Sequence, residues 1–151
     1  MALASARLRG PFDATEVKAF LDVSVVPLRL AVVARSGWPV VVSLWFARVG
    51  EVLVCATQAS SPIVAALARD GRCAFEVAGC EPPYRGVRGR ATVTVAPDDE
   101  LGTLRRLVER YLGSTDSAFA SWLLGRTAPE VVLHLDPLKI SSWNYSARMG
   151  P

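Results

Sequence analysis

Between residues 28 and 96 the chain runs mostly in Val-rich stretches where apolar and polar positions alternate, and helical spacing appears only in short segments around them. Three strand-like runs, 28–34, 40–49 and 51–56, are separated by Ser36-Gly37-Trp38-Pro39 and by Gly50. Breaks of hairpin length predict antiparallel neighbours. A fourth strand is expected over 73–78 and, after Glu81-Pro82-Pro83, a long one from about 84 to 96. In that long strand Arg88, Arg90, Thr92 and Thr94 share one face, and Val87, Ala91, Val93 and Val95 the other. Two closing strands, 131–135 and 139–143, are expected on either side of an Asp136-Pro137 break.

The helices are short and announced by their caps. Asp13 with Glu16 reads as a capping box opening a helix to about residue 21, and Phe12 and Val17 are spaced for a hydrophobic staple. Ser61 before Pro62 opens a second, with Ile63, Ala66 and Leu67 as its apolar face and Asp70-Gly71 as its end. Carboxylates at Asp98, Asp99 and Glu100 suit the start of a third, along which Leu101, Leu104, Val108, Tyr111 and Leu112 recur. A fourth is expected over 117–124. The sum is about six or seven strands with short helices between them, a mainly β fold read as a barrel with peripheral helices.

Composition narrows the function classes. A chain of 151 residues with 51% apolar and 21% charged residues supports one core without a metal or disulfide. Cys55, Cys73 and Cys80 form no CxxC pair and read as small core residues, and the single His134 excludes a histidine metal cluster. His134 reads as structural. The net charge of +3 is an arginine excess over only two lysines, Lys18 and Lys139. Arg105, Arg106 and Arg110 cluster on the third helix, but Glu109 and the acidic start dilute them, so no nucleic-acid partner is expected. No apolar run approaches the roughly 20 residues of a membrane helix and no signal peptide is visible, so a cytoplasmic protein without membrane contact is expected.

In order, several segments resemble the pyridoxamine 5′-phosphate oxidase-like family of flavin- and deazaflavin-binding split barrels. They are Ser36-Gly37-Trp38-Pro39-Val40 leading into Ser43-Leu44-Trp45-Phe46, and Thr57 followed by Leu67-Ala68-Arg69-Asp70. Tyr84-Arg85-Gly86-Val87-Arg88-Gly89-Arg90-Ala91 and Ile140-Ser141-Ser142-Trp143-Asn144-Tyr145 complete the series, so the resemblance spans about residues 12 to 149. It implies a split β-barrel homodimer with FMN, or the deazaflavin F-420, in a groove between subunits, and redox chemistry on a small-molecule substrate. By the same resemblance Ser43, Leu44 and Trp45 lie along the cofactor ring, and Thr57, Ser60 and Ser61 at its phosphate.

One departure matters. Relatives carry a Lys or Arg at the start of the second helix, where this chain has Ile63. An arginine from Arg29, Arg85, Arg88 or Arg90 must then hold the phosphate, or the barrel binds no flavin and acts as a binding or structural dimer. Arg88 and Arg90 form the candidate clamp, since arginine pairs bidentately with phosphate and carboxylate, although cross-strand pairing with acids would use the same face. Trp143 and Tyr145 suit a site or subunit interface, and Trp38 an interface or a lid on the barrel end.

Overall fold

The computed structural model describes residues 3–150. In chain order its elements are β1 (Arg7–Arg9), α1 (Ala14–Val23), β2 (Leu28–Val33), β3 (Pro39–Leu44), β4 (Phe46–Val49), β5 (Val52–Gln58), α2 (Pro62–Arg69) and β6 (Arg72–Ala78). There follow β7 (Arg85–Pro97), α3 (Gly102–Leu112), α4 (Ala118–Leu124), β8 (Glu130–Asn144) and α5 (Ser146–Met149). All strands join one sheet in the order β3-β2-β6-β7-β8-β5-β4, with β1 added to β8 in parallel and the other pairings antiparallel. This is the expected mainly β split barrel with peripheral helices.

Two strand expectations are corrected. The run 40–49 is two strands that break at Trp45, and they lie at opposite ends of the sheet. Hydrophobic patterning could not reveal this, because both halves are apolar in the same way. The expected break at Asp136-Pro137 is absent, and β8 runs unbroken through it. The cause is a bulge: Arg90 faces Lys139 and Ala91 faces Pro137, so Leu138 is the extra residue, and the missing proline N–H falls where the ladder is already interrupted. The three-residue β1 and the four-residue α5 add to the expected elements.

The barrel interior takes every second side chain. Leu28, Leu30, Phe75, Val77, Val87, Leu133, Leu135, Ile140, Leu53, Cys55 and Phe46 fill it, closed off by Val17, Phe20 and Leu21 of α1 and by Ile63, Ala66 and Leu67 of α2. The α1 capping box forms as expected: the Asp13 carboxylate accepts from Glu16 N–H at 2.9 Å and Glu16 accepts from Asp13 N–H at 2.8 Å. At the start of α3, Glu100 and Leu101 both have φ of 55°, a costly conformation for residues with a side chain. The buried Asp98 carboxylate offsets that cost by accepting from the N–H groups of Thr103 and Leu104, both at 2.9 Å.

Helix α3 covers only part of the outer surface. Leu107 packs on Ala47, Val54 and Val132, and Leu104 and Val108 pack on Ala120 of α4. Tyr111 holds the split itself. Its ring stacks on Trp45 at 4.9 Å and 7°, and its hydroxyl accepts from Phe46 N–H at 3.2 Å and donates to the Val26 carbonyl at 2.8 Å.

Tyr111→Phe keeps the stack and removes both bonds, leaving two backbone groups without a partner. The expected cost is about 1–3 kcal/mol, read as a lower urea midpoint with an unchanged slope. Burial separates the cysteines as well: it pushes the Cys55 thiol far up and the Cys73 thiol up to about 12, whereas Cys80 is exposed. Ellman's reagent should therefore titrate one thiol per native chain, and Cys80→Ser should leave none until the protein is unfolded.

Candidate functional site

Away from α3 the outer face of β3, β2, β6, β7 and β8 is bare. Residues in register share a face, so the pairings define rows across it. One row reads Ser43, Arg29, Glu76, Arg88, Ser141 and Arg9, and the next Val41, Ala31, Ala74, Arg90, Lys139 and Arg7. Glu76 is the lone acid of the first row, lying between Arg29 and Arg88. The second row contains three cations and no acid. The two rows line a groove of about 680 Å³ with Arg29, Arg88, Arg90 and Lys139 on its surface and Val41, Ala31 and Ala74 as its apolar part.

The segment Gly86-Val87-Arg88-Gly89-Arg90 is built around its two glycines. A Cβ at Gly86 would lie 2.5 Å from the Trp143 ring, so this glycine makes room for the indole on the outer face. A Cβ at Gly89 would lie 2.8 Å from the Phe75 ring, so this one makes room on the inner face. Arg88 then sits with its guanidinium carbon 5.3 Å from the centre of the Trp143 ring, a cation–π contact that orients the arginine over the groove. The site is therefore a cationic groove, one of whose arginines rests on an indole.

The expected site residues fall in two places. Arg88 and Arg90 line the groove, Trp143 is joined to it only through its contact with Arg88, and Ser43 lies in the Arg88 row on the edge strand. Leu44 turns the other way and packs on the barrel core. Trp45 is engaged with Tyr111 and α3 rather than with the groove. Thr57 pairs with Val131 on β5, Ser60 is in the following turn, and Ser61 caps α2 without a side-chain bond. None of these three lines the groove. Ile63, 4% exposed, belongs to the barrel core and offers nothing to an anion. His134 pairs with Val54 and Thr94, outside the groove.

Arg7, Arg9, Glu76 and Lys139 were not anticipated. A three-residue strand is too short to show alternation, and Lys139 gains meaning only through its register. No group of three or more His, Cys, Asp or Glu among the described residues could hold a metal. No described helix is long and apolar enough to cross a membrane.

No family model and no curated protein matches the chain. Solved structures do. A conserved hypothetical protein from Mycobacterium tuberculosis is similar over 93% of this chain and 90% of its own, with 22% identity and a TM-score of 0.74. An F-420 reductase is similar over 82% of this chain and 94% of its own, with 25% identity and a TM-score of 0.68. A pyridoxamine 5′-phosphate oxidase homologue from Listeria innocua is similar over 77% of this chain and 86% of its own, with 15% identity and a TM-score of 0.58. Proteins that store or bind heme share the fold too. The fold is thus the split β-barrel of the pyridoxamine 5′-phosphate oxidase-like proteins, which the ordered segments of the sequence anticipated.

Replacing Gly86 by Val should expel Trp143 from its seat and free Arg88. Tryptophan emission should shift to the red, the shift should vanish in a Trp143→Phe background, and overpacking should cost about 1–3 kcal/mol.

Proposed function

We propose that the chain is a cytoplasmic homodimeric oxidoreductase that binds an anionic flavin-type cofactor, FMN or the deazaflavin F-420, and acts on a small molecule. The observation that carries this reading is the groove, where Arg29, Arg88, Arg90 and Lys139 surround an apolar floor beside Trp143. Those residues fit the group: arginines pair with a phosphate, and the apolar surface and indole suit a planar ring. The cofactor would supply the hydride chemistry, while the protein binds it, orients it and excludes water.

The feature that supports a dimer is the β2–β3 hairpin, which exposes apolar area, with Val41 at 65% and Trp38 at 75%. The residues expected at the phosphate, Thr57, Ser60 and Ser61, do not line the groove of their own chain. Sedimentation should give a dimer at micromolar concentration, and a monomer would overturn this part.

A second reading rests on Ile63. In this reading, with a buried apolar residue where relatives place a cation, the dimer holds no flavin and serves as a binding protein. The absorbance of the purified protein separates the cases, because FMN, deazaflavin and heme have distinct bands. Fluorescence titration with FMN and with F-420 should show binding of one, and the Arg88→Ala, Arg90→Ala double variant should lose at least about tenfold in affinity. Equal affinities would remove the arginine clamp. No binding to the wild type would leave the flavin-free reading.

A further inference from the structure

The second row of the groove breaks a rule of sheet stability. Arg90 on β7 and Arg7 on β1 stand directly opposite Lys139 on either side, and Arg9 lies one row away. Like charges facing each other across strands destabilise a sheet. A position that violates a local rule with no structural compensation is where a functional site is expected. None of the ion pairs among the described residues involves Lys139, and its own row holds no acid: Glu76 lies in the row on one side, between Arg29 and Arg88, and Asp136 in the row on the other, opposite Thr92. The chain's other lysine, Lys18, is paired with Glu51.

We infer that Lys139 is a nucleophilic amine that forms a reversible imine with small anionic carbonyl compounds, the class of carboxylate- or phosphate-bearing aldehydes and ketones. Arg90 and Arg7 directly opposite and Arg9 one row away disfavour the ammonium, and Arg9, first, then burial, Arg90 and Arg7 hold it below the usual lysine range. The arginines that disfavour the ammonium also attract the anion. Arg88 and Arg90 border the same groove as Nζ, and Val41, Ala31 and Ala74 leave apolar room for the body of a small ligand. In the reaction the amine lone pair adds to the carbonyl carbon. The carbonyl oxygen then takes up protons and leaves as water, and a C=N bond replaces the C=O bond with no net oxidation. Anion capture and imine formation use this chain's residues alone and do not rest on a flavin being held there.

The test is reductive trapping on the full chain with glyoxylate as probe and cyanoborohydride as reductant, read by peptide mass mapping. Glyoxylate should label Lys139 about tenfold or more faster than Lys18, which serves as the internal reference. The rate at Lys139 should reach half its maximum at a pH below the usual lysine range. Arg90→Ala and Arg9→Ala should each raise that midpoint and reduce the preference. Propanal, which carries no charge, should show a clearly smaller preference. Lys139→Arg keeps the charge and should leave the circular dichroism unchanged while abolishing the groove adduct. Equal labelling of the two lysines would overturn the nucleophile, and equal preference for propanal would overturn the anionic class. Because the assay needs no cofactor, its failure is distinct from failure to bind FMN or F-420.

Discussion

The fold depends on closing a sheet whose two ends are joined by a single residue. Strands β3 and β4 are neighbours in sequence and opposite ends of the sheet's pairing order, and Trp45 is the whole connection. So short a link must turn the chain without leaving polar backbone stranded. Tyr111 from α3 supplies what is missing: its ring covers Trp45, and its hydroxyl takes the Phe46 N–H and serves the Val26 carbonyl. Burial and these partners act on one group, since burial of the Tyr111 phenol raises it above its ordinary range. Once the split is pinned, the alternation of every strand is committed and the interior set follows.

That commitment also decides where the groove can lie. Helix α3 is tied to the split by Tyr111 and to β4, β5 and β8 by Leu107, so it covers the outer surface on that side alone. The opposite side keeps its outward residues in solvent. β8 serves both regions, its first half pairing with β5 and the stretch after the bulge with β1. The bulge at Leu138 therefore has a functional consequence. It restores the register in which Lys139 faces Arg90 and Arg7, whereas an unbulged strand would set a different residue opposite each.

Much of this was legible in advance. Caps at Asp13 and Ser61, the alternation from Val87 to Val95 and the order of segments pointed to the first two helices, the long strand and the split-barrel class. What escaped was non-local. No pattern within 40–49 distinguishes one strand from two that part company at Trp45, because the distinction lies in which distant strand each half meets. Likewise the Arg88 and Arg90 pair could be read, but its partners could not. Glu76, Lys139, Arg7 and Arg9 join it only through register across four strands.

The glycines of the long strand show how local chemistry and charge placement interlock. Two bulky rings, Trp143 outside and Phe75 inside, approach β7 from opposite faces within four residues, and only residues without a Cβ admit both. Alternation then leaves Arg88 and Arg90 on the outer face, and the indole holds Arg88 at 5.3 Å. An arginine braced by an aromatic ring loses less freedom when it pairs with an anion than one that is free to turn. The neighbouring row has no acid to quench it, so the uncompensated charge is concentrated around Lys139 rather than spread over the surface. With a net charge of only +3 for the chain, that concentration is a matter of register, not of composition.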